Sequence, residues 1–233
     1  IASYVAIAVE NAQLYQAVKE NSDKLRKALT RIEALEKVKS QLTKFVPSTV
    51  RLMVESNPET IDSEKRPVEA TILFMDIQGF SKITESYAHS LVNNMIETYF
   101  SAYLNCIERN FGEINETSGD GLMVIFSKGA EAEHAFSAIN AAIEIVHETE
   151  VLNRLNQYPW GNIRLHLGIN TGTVWLGCTR MRSITGEHYT YTASGLVTVI
   201  AARIGDISLD NALLISLDTF RHAKDWIEVE PLG

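Results

Sequence analysis

Apolar residues along the first 45 positions recur in steps of four and three. The series runs Leu14, Val18, Asn21, Leu25, Ala28, Ile32, Leu35, Lys39, Leu42, with charged residues at most positions between. Val18, Leu25 and Ile32 fall on one core position of a heptad, and Leu14, Ala28, Leu35 and Leu42 on the other, which is the seam of a coiled coil. Asn21 and Lys39 interrupt it, and polar residues in such a seam cost stability while fixing register. No Gly or Pro precedes Pro47, and Ala, Leu, Glu and Lys dominate, so residues 1–45 are expected to form one long helical stalk. The plain alternative is one amphipathic helix packed on its own domain. The charge at the remaining positions favours a parallel dimer.

Three prolines, Pro47, Pro58 and Pro67, mark residues 46–67 as a linker. From 68 to 233 the pattern alternates between strand and helix. Ala70 to Met75 is an unbroken apolar run, the mark of a buried strand. Tyr87–Phe111 reads as helix, and Glu113–Thr117 and Leu122–Phe126 flank Ser118-Gly119-Asp120-Gly121, a hairpin signature. Ala130–Glu150 is an Ala-rich helix, and Ile163–Asn170 and Val174–Gly177 read as two strands turning at Thr171-Gly172-Thr173. A short helix at Val197–Ile204 and a strand at Leu213–Ser216 complete the series. Helices interleaved with antiparallel hairpins give an α+β domain with a mixed sheet.

Charge and cysteine content narrow the partners. With 29 acidic and 21 basic residues the chain carries a formal −8, and no dense Lys/Arg run is present, which argues against nucleic acid. A polyanionic substrate would need help from metal ions or specific basic residues. Two cysteines without paired spacing, Cys106 and Cys178, point to a reducing, cytoplasmic compartment. No apolar run reaches the ~18 residues of a membrane span. The sequence begins at Ile1 inside a helix pattern and ends at Pro231-Leu232-Gly233 in mid-pattern. The expectation is a piece of a longer, C-terminally truncated protein, with room outside it for a sensor or membrane-associated region.

Two carboxylates stand out. Asp76 ends the buried strand and is followed by Gly79 and a helix start, where a carboxylate can grip an ion and backbone N–H groups can meet phosphate. Asp120 sits at the tip of the Gly119–Gly121 hairpin. Taken singly, the first reads as a helix cap and the second as ordinary turn chemistry. Brought together, they could clamp two Mg²⁺ on a triphosphate.

Four segments together resemble the class III adenylate and guanylate cyclases, in the order of that family. Phe74-Met75-Asp76-Ile77-Gln78-Gly79-Phe80-Ser81 resembles the first metal motif, and Thr117-Ser118-Gly119-Asp120-Gly121-Leu122-Met123 the second. Gly168-Ile169-Asn170-Thr171-Gly172-Thr173-Val174 resembles the central hairpin, and Gly195-Leu196-Val197-Thr198-Val199-Ile200-Ala201-Ala202-Arg203 the helix with the transition-state residues. Ile1 to Tyr15 resembles the last helix of a GAF sensor domain, and Leu42 to Pro47 the usual entry to a cyclase domain.

The resemblance implies a ferredoxin-like catalytic domain with flanking helices, behind a dimeric coiled coil and an upstream sensor in cis. It implies a homodimer with shared sites. Asp76, Asp120 and the Ile77 carbonyl would hold two Mg²⁺ (or Mn²⁺), Gly79, Phe80 and Ser81 would meet the triphosphate, and Arg203 of the other subunit would neutralise transition-state charge. The purine would be read by Glu116, four residues before Asp120, and by Thr192, three before Gly195. A carboxylate accepts from guanine N1–H and its 2-amino group, whereas adenine N1 would face it with a lone pair. Glu116 therefore favours GTP over ATP, and Thr192, able to donate or accept, is permissive.

One position departs from the family. Where an Asn usually orients the ribose, four residues before the arginine, this chain has Val199, which offers no hydrogen bond. The favoured reading is a guanylate cyclase. An adenylate cyclase with unusual purine contacts, a degenerate cyclase domain that binds nucleotide or dimerises to relay a signal, and a pure coiled-coil module stay open beside it. Arg180 and Arg182 read as loop residues near the site, and His166 as a structural strand residue.

Overall fold

A computed structural model describes residues 2–59 and 64–232, with side chains placed except at 2–9 and 132. Ile1, Gly233 and residues 60–63 of the linker read above lie outside the described residues. The chain divides into two compact units, residues 1–52 and 53–233.

In the first unit, α1 (Ala2–Leu42) is one helix of 41 residues. Every described side chain from Glu10 to Leu42 is exposed, including Leu14, Val18, Leu25, Ile32, Leu35 and Leu42 of the heptad seam. Among the described residues of its own unit nothing covers this apolar stripe. A short helix, α2 (Ser48–Ser56), lies in the stretch read as linker.

The second unit is built on β1 (Arg66–Ile77), β2 (Glu113–Ser118), β3 (Gly121–Phe126), β4 (Leu165–Ser183), β5 (Gly186–Ser194) and β6 (Leu213–Ile215). Their order in the sheet is β2-β3-β1-β4-β5, with β6 beside β4. All pairings are antiparallel except β4 with β6, so the sheet is mixed as expected. Between the strands lie α3 (Phe80–Ser86), α4 (His89–Arg109), α5 (Glu131–Leu155), α6 (Leu196–Ile207) and α7 (Leu217–Ala223). The first four strands with their two helical crossovers have the ferredoxin-like order.

β1 is central and covered on both faces, which is why its sequence is an unbroken apolar run rather than an alternating one. Leu73, Met75 and Ile77 join the larger core with Met95, Tyr99 and Tyr103 of α4 and Ala138, Ala142 and Ile145 of α5. Ala70 and Ile72 join a smaller core with Met123, Ile125, Val174, Ala193 and Ala201 of α6. Through the centre runs a buried polar chain. His134 Nδ1 lies 2.8 Å from Thr71 Oγ1, which lies 2.8 Å from Thr171 Oγ1, and the Thr171 hydroxyl donates to Thr219 Oγ1 at 3.0 Å. Since Thr171 spends its proton on Thr219, Thr71 donates to Thr171 and the Nδ1–H of neutral His134 donates to Thr71.

Besides α2, the structure departs from the sequence reading in four places. The expected turn at Thr171-Gly172-Thr173 does not form, and β4 runs straight through it because β1 pairs alongside from Leu165 to Leu176. The segment holding Arg180 and Arg182 is a two-stranded ribbon with β5, not a loop, and Arg180 pairs with Glu187. The helix expected over Tyr87–Phe111 begins at His89, after an extended Tyr87, with α3 a separate helix before it. α7 is a further helix, started by the Ser216 side chain accepting from the Thr219 N–H at 3.1 Å.

Candidate active site

The two carboxylates meet. Asp76 and Asp120 line one cavity of about 390 Å³ with Phe74, Glu116, Met123, His166, Ala202, Gly205 and Asp206 among its other walls. Alternation along β1 puts Ile72, Phe74 and Asp76 on the face under α6, so the apolar face ends in a carboxylate where the strand ends. Asp120 arrives from the β2–β3 turn, and Met75 pairs with Leu122 beside it.

Glu116 reaches this face through a β-bulge. Ile114 pairs with Val124 and Glu116 with Met123, leaving Asn115 as an extra residue. Without it Glu116 would pair with Leu122 and point into the larger core, because a slip of one residue exchanges the faces of a strand. The bulge thereby turns a carboxylate from an apolar core to a cavity wall. Asn115 itself bonds to β5, and the Thr192 hydroxyl donates to its Oδ1 at 2.9 Å.

The Asp76 carboxyl is pushed above the ordinary carboxylate range, chiefly by burial. His166, its cross-strand partner, opposes the rise, while Asp120 and Asp206 add to it. Burial also raises Asp120, against a hydrogen bond from its own backbone N–H. Asp76 Oδ1 is buried without a hydrogen-bond partner. An orphaned, buried carboxylate oxygen beside a second carboxylate is what a divalent cation would satisfy, and the all-oxygen donor set suits Mg²⁺ or Mn²⁺. Among the described residues no three His, Cys, Asp or Glu side chains are grouped to hold a metal unaided. An ion here would complete its shell with phosphate oxygens and water, as Mg²⁺ commonly does.

The backbone beside these residues fits that chemistry. Gln78 N–H donates to the Arg164 carbonyl at 2.8 Å, so Ile77 and Leu165 form the non-bonded pair of the ladder. Leu165 directs both of its backbone groups to Asn211. The Ile77 carbonyl therefore points away from β4, to the side of the sheet that carries Asp120. Gly79 caps α3 at φ 74°, a left-handed conformation suited to glycine, and open space surrounds it. Phe80 and Ser81 begin that helix, whose first N–H groups have no partner within it.

Arg203 stands apart. It is exposed on α6, is not in the cavity wall and makes no hydrogen bond or ion pair among the described residues. Val199 lies one turn before it and is 48% exposed. Three contributors were not identified from sequence. His166 lines the cavity with Nδ1 held by the Ser208 carbonyl, Asp206 faces it from α6, and Asn115 anchors Thr192. Each owes its place to pairing between distant segments, and the only local signal was Asp206 following Gly205.

Comparison with known proteins agrees with this geometry. The chain is 28% identical over 171 residues to "Adenylate cyclase 1" of Rhizobium meliloti (strain 1021), covering 71% of this chain and 25% of that protein. It is equally 28% identical over 169 residues to "Receptor-type guanylate cyclase gcy-23" of Caenorhabditis elegans, covering 70% and 15%. The chain thus spans a quarter or less of these curated relatives. Among solved structures, a bacterial light-regulated adenylyl cyclase superposes with TM-score 0.71 at 25% identity, over 83% of this chain and 56% of that one. The guanylyl cyclase Cya2 shares the fold at TM-score 0.62 and 24% identity, over 73% and 88%. The family described as "Adenylate and Guanylate cyclase catalytic domain" matches residues 63–230, and the chain belongs to it.

Proposed function

We propose that this domain converts GTP, and less readily ATP, to the 3′,5′-cyclic nucleotide and pyrophosphate at sites shared between two copies of the chain. The observation that carries this reading is the division of the machinery. Asp76 and Asp120 converge on one cavity, while Arg203 stands exposed outside it. A single copy holds the acidic half of a phosphoryl-transfer site and offers the basic half outward.

Asp76, Asp120 and the Ile77 carbonyl would hold two divalent cations, which when bound neutralise phosphate charge and favour ionisation of the ribose 3′-hydroxyl. Phe80 and Ser81 offer backbone N–H groups to the triphosphate beyond the Gly79 turn. Arg203 of a second copy presents a fixed fork of donors to the α-phosphoryl oxygens. The 3′-oxygen forms the new bond to the α-phosphorus as the bond to the departing pyrophosphate breaks. Glu116 accepts from guanine N1–H and the 2-amino group, and the same carboxylate meets adenine N1 with lone pair against lone pair.

The exposed stripe on α1 supports a parallel dimer through residues 14–45, driven by a sensor preceding it in cis. A cysteine count of two, at positions without paired spacing, supports a cytoplasmic setting. No described helix is long and apolar enough to cross a membrane.

The test is a product assay with GTP and ATP in Mg²⁺ and in Mn²⁺, on the wild type and on Asp76→Ala and Arg203→Ala. Each variant alone should be inactive. Mixing them should restore part of the activity, because one of the two sites in a mixed dimer keeps both groups. Absence of recovery in demonstrated mixed dimers would place the site within one chain.

A further inference from the structure

The bulge residue Asn115 uses all of its side-chain polar groups on β5. Its Nδ2 donates to the Tyr191 carbonyl at 3.0 Å, and its Oδ1 accepts from the Ala193 N–H at 3.4 Å and from the Thr192 hydroxyl at 2.9 Å. These neighbours fix the orientation of the amide. Turned over, its NH₂ would face the Ala193 N–H and its oxygen the Tyr191 carbonyl, donor against donor and acceptor against acceptor. The oxygen therefore faces Thr192, and the Thr192 hydroxyl must be the donor. The Ala193 carbonyl, 3.1 Å from the same hydroxyl, is its only other acceptor among the described residues. With its proton on Asn115, the shorter of the two contacts, Thr192 has only lone pairs to offer a ligand.

We propose that Asn115 is a specificity-determining positioning residue: by taking the Thr192 proton it makes Thr192 an acceptor, which rewards a 6-amino group on the purine over a 6-oxo group. The inference rests on the reading above that Glu116 and Thr192 face the base. It also removes the permissiveness that threonine has on its own. Glu116 favours guanine through N1–H and the 2-amino group, whereas Thr192, so held, favours adenine through its 6-amino group. The two readers pull against each other, so GTP leads ATP by a narrow margin, and Asn115 keeps that margin narrow. The bulge thus does two things: it aims Glu116 at the cavity, and it frees the Asn115 side chain to set the polarity of Thr192.

The experiment compares purine ribonucleoside triphosphates that differ at one position. ATP against the 6-unsubstituted purine, and 2,6-diaminopurine against 2-aminopurine, each isolate the 6-amino group. GTP against ITP isolates the 2-amino group seen by Glu116. The readout is the ratio of kcat/KM within each pair, or competition against a bound fluorescent purine nucleotide where turnover is slow. On the wild type, the 6-amino member should lead by about fivefold, the discrimination one net hydrogen bond supplies. In Asn115→Ala the hydroxyl can also donate to a ligand, so the 6-amino lead should persist, GTP over ATP should rise by about fivefold, and GTP over ITP should be unchanged. Added to Thr192→Val, Asn115→Ala should leave every ratio where it was, because it acts through that hydroxyl.

A 6-amino group that brings no advantage while GTP and ITP still differ overturns the proposal and leaves the base-reading intact. So does an Asn115→Ala variant that loses both substrates equally, as a merely structural residue would. If no pair differs, GTP and ITP included, the base-reading itself fails. The wild-type pairs can overturn the acceptor role of Thr192 even where the variant does not fold.

Discussion

Gly168 of β4 and Gly205 of α6 meet with no room for a side chain between them. A Cβ on Gly168 would lie 2.2 Å from the Gly205 nitrogen and 2.3 Å from the Ala201 carbonyl oxygen. The obstruction is backbone, so no rotamer change relieves it. This contact sets how closely α6 lies on the sheet, and α6 carries Ala202, Gly205 and Asp206 on the cavity wall and Arg203 outside it. Gly168→Ala should force the helix outward at a cost of about 3 kcal/mol, the upper part of the range for overpacking a tight core. Activity should fall further than the folded fraction does, since the misplaced helix carries reacting groups. Urea unfolding and specific activity on one preparation check both. An unchanged unfolding midpoint would mean that the helix is not held by this contact.

Asp76→Asn should make the protein more stable and inactive. Burial raises the Asp76 carboxyl in the folded chain, so its charged form is favoured less there than in the unfolded chain. The sign follows: a group raised on folding gives its full stability below its unfolded value, and that stability is lost as pH rises through the folded value. At neutral pH the chain therefore carries a carboxylate that opposes folding, which the neutral amide removes. The thermal midpoint without divalent ions should rise in the variant. Mg²⁺ or Mn²⁺ should raise the wild-type midpoint and not that of the variant, because only a site that binds the ion gains from it. A variant midpoint at or below that of the wild type would show that the orphaned oxygen is not destabilising.

His134 should make the fold sensitive to mild acid. Burial lowers its pKa most, the neighbouring His222 lowers it further, and Glu131 and Glu69 pull the other way. With the folded value below the unfolded one, the unfolded chain takes the proton first. Stability from the neutral ring is full above about pH 6.5 and declines as pH falls from there toward the folded value. His134→Gln should be less stable at pH 8 by about 1–3 kcal/mol, as a buried hydrogen bond is disturbed. Its stability should then fall less steeply between about pH 7 and pH 5. Parallel wild-type and variant curves would assign the acid sensitivity to other groups.

What the sequence made legible was local. Asp76 ends an apolar run and Asp120 tips a Gly-flanked hairpin, so strand, turn and the two acidic positions could be read within a dozen residues of each. Cross-strand pairing could not be read. Thr171-Gly172-Thr173 has the composition of a turn, yet twelve residues of β1 pair along β4 and hold it extended. The Gly186–Ser194 strand is polar and has a single buried residue, with no apolar alternation to mark it. The Asn115 bulge is a mismatch of register between two strands, which neither strand records alone. His166 read as structural because its partner, Asp76, lies ninety positions away along the chain.

Val199→Asn should raise turnover at little cost in stability. A valine at this position has two readings: a core residue of the helix, or the gap left by a ribose-orienting amide. They predict opposite effects, because an amide placed in a core would lie buried without a partner at a cost of about 1–3 kcal/mol. The structure removes most of that cost. Val199 is 48% exposed, one turn before the exposed Arg203, and asparagine and valine differ little in helix propensity. The thermal midpoint should therefore stay within the small range of exposed substitutions, about 0.5 kcal/mol. The rate is the informative quantity. An amide at 199 would stand beside Arg203 on the same side of α6 and could hold the ribose while the 3′-hydroxyl approaches the α-phosphorus. A misplacement of ~1 Å costs about a hundredfold, so even partial repair of orientation should raise kcat by about tenfold. KM should change less, since the gain is in alignment rather than in hold on the triphosphate. Measuring kcat, KM and the midpoint together separates the outcomes. A gain in kcat at constant midpoint identifies Val199 as the missing contact. An unchanged kcat at constant midpoint means that the ribose is oriented by another group, and a fall in midpoint without a gain in rate restores the packing role.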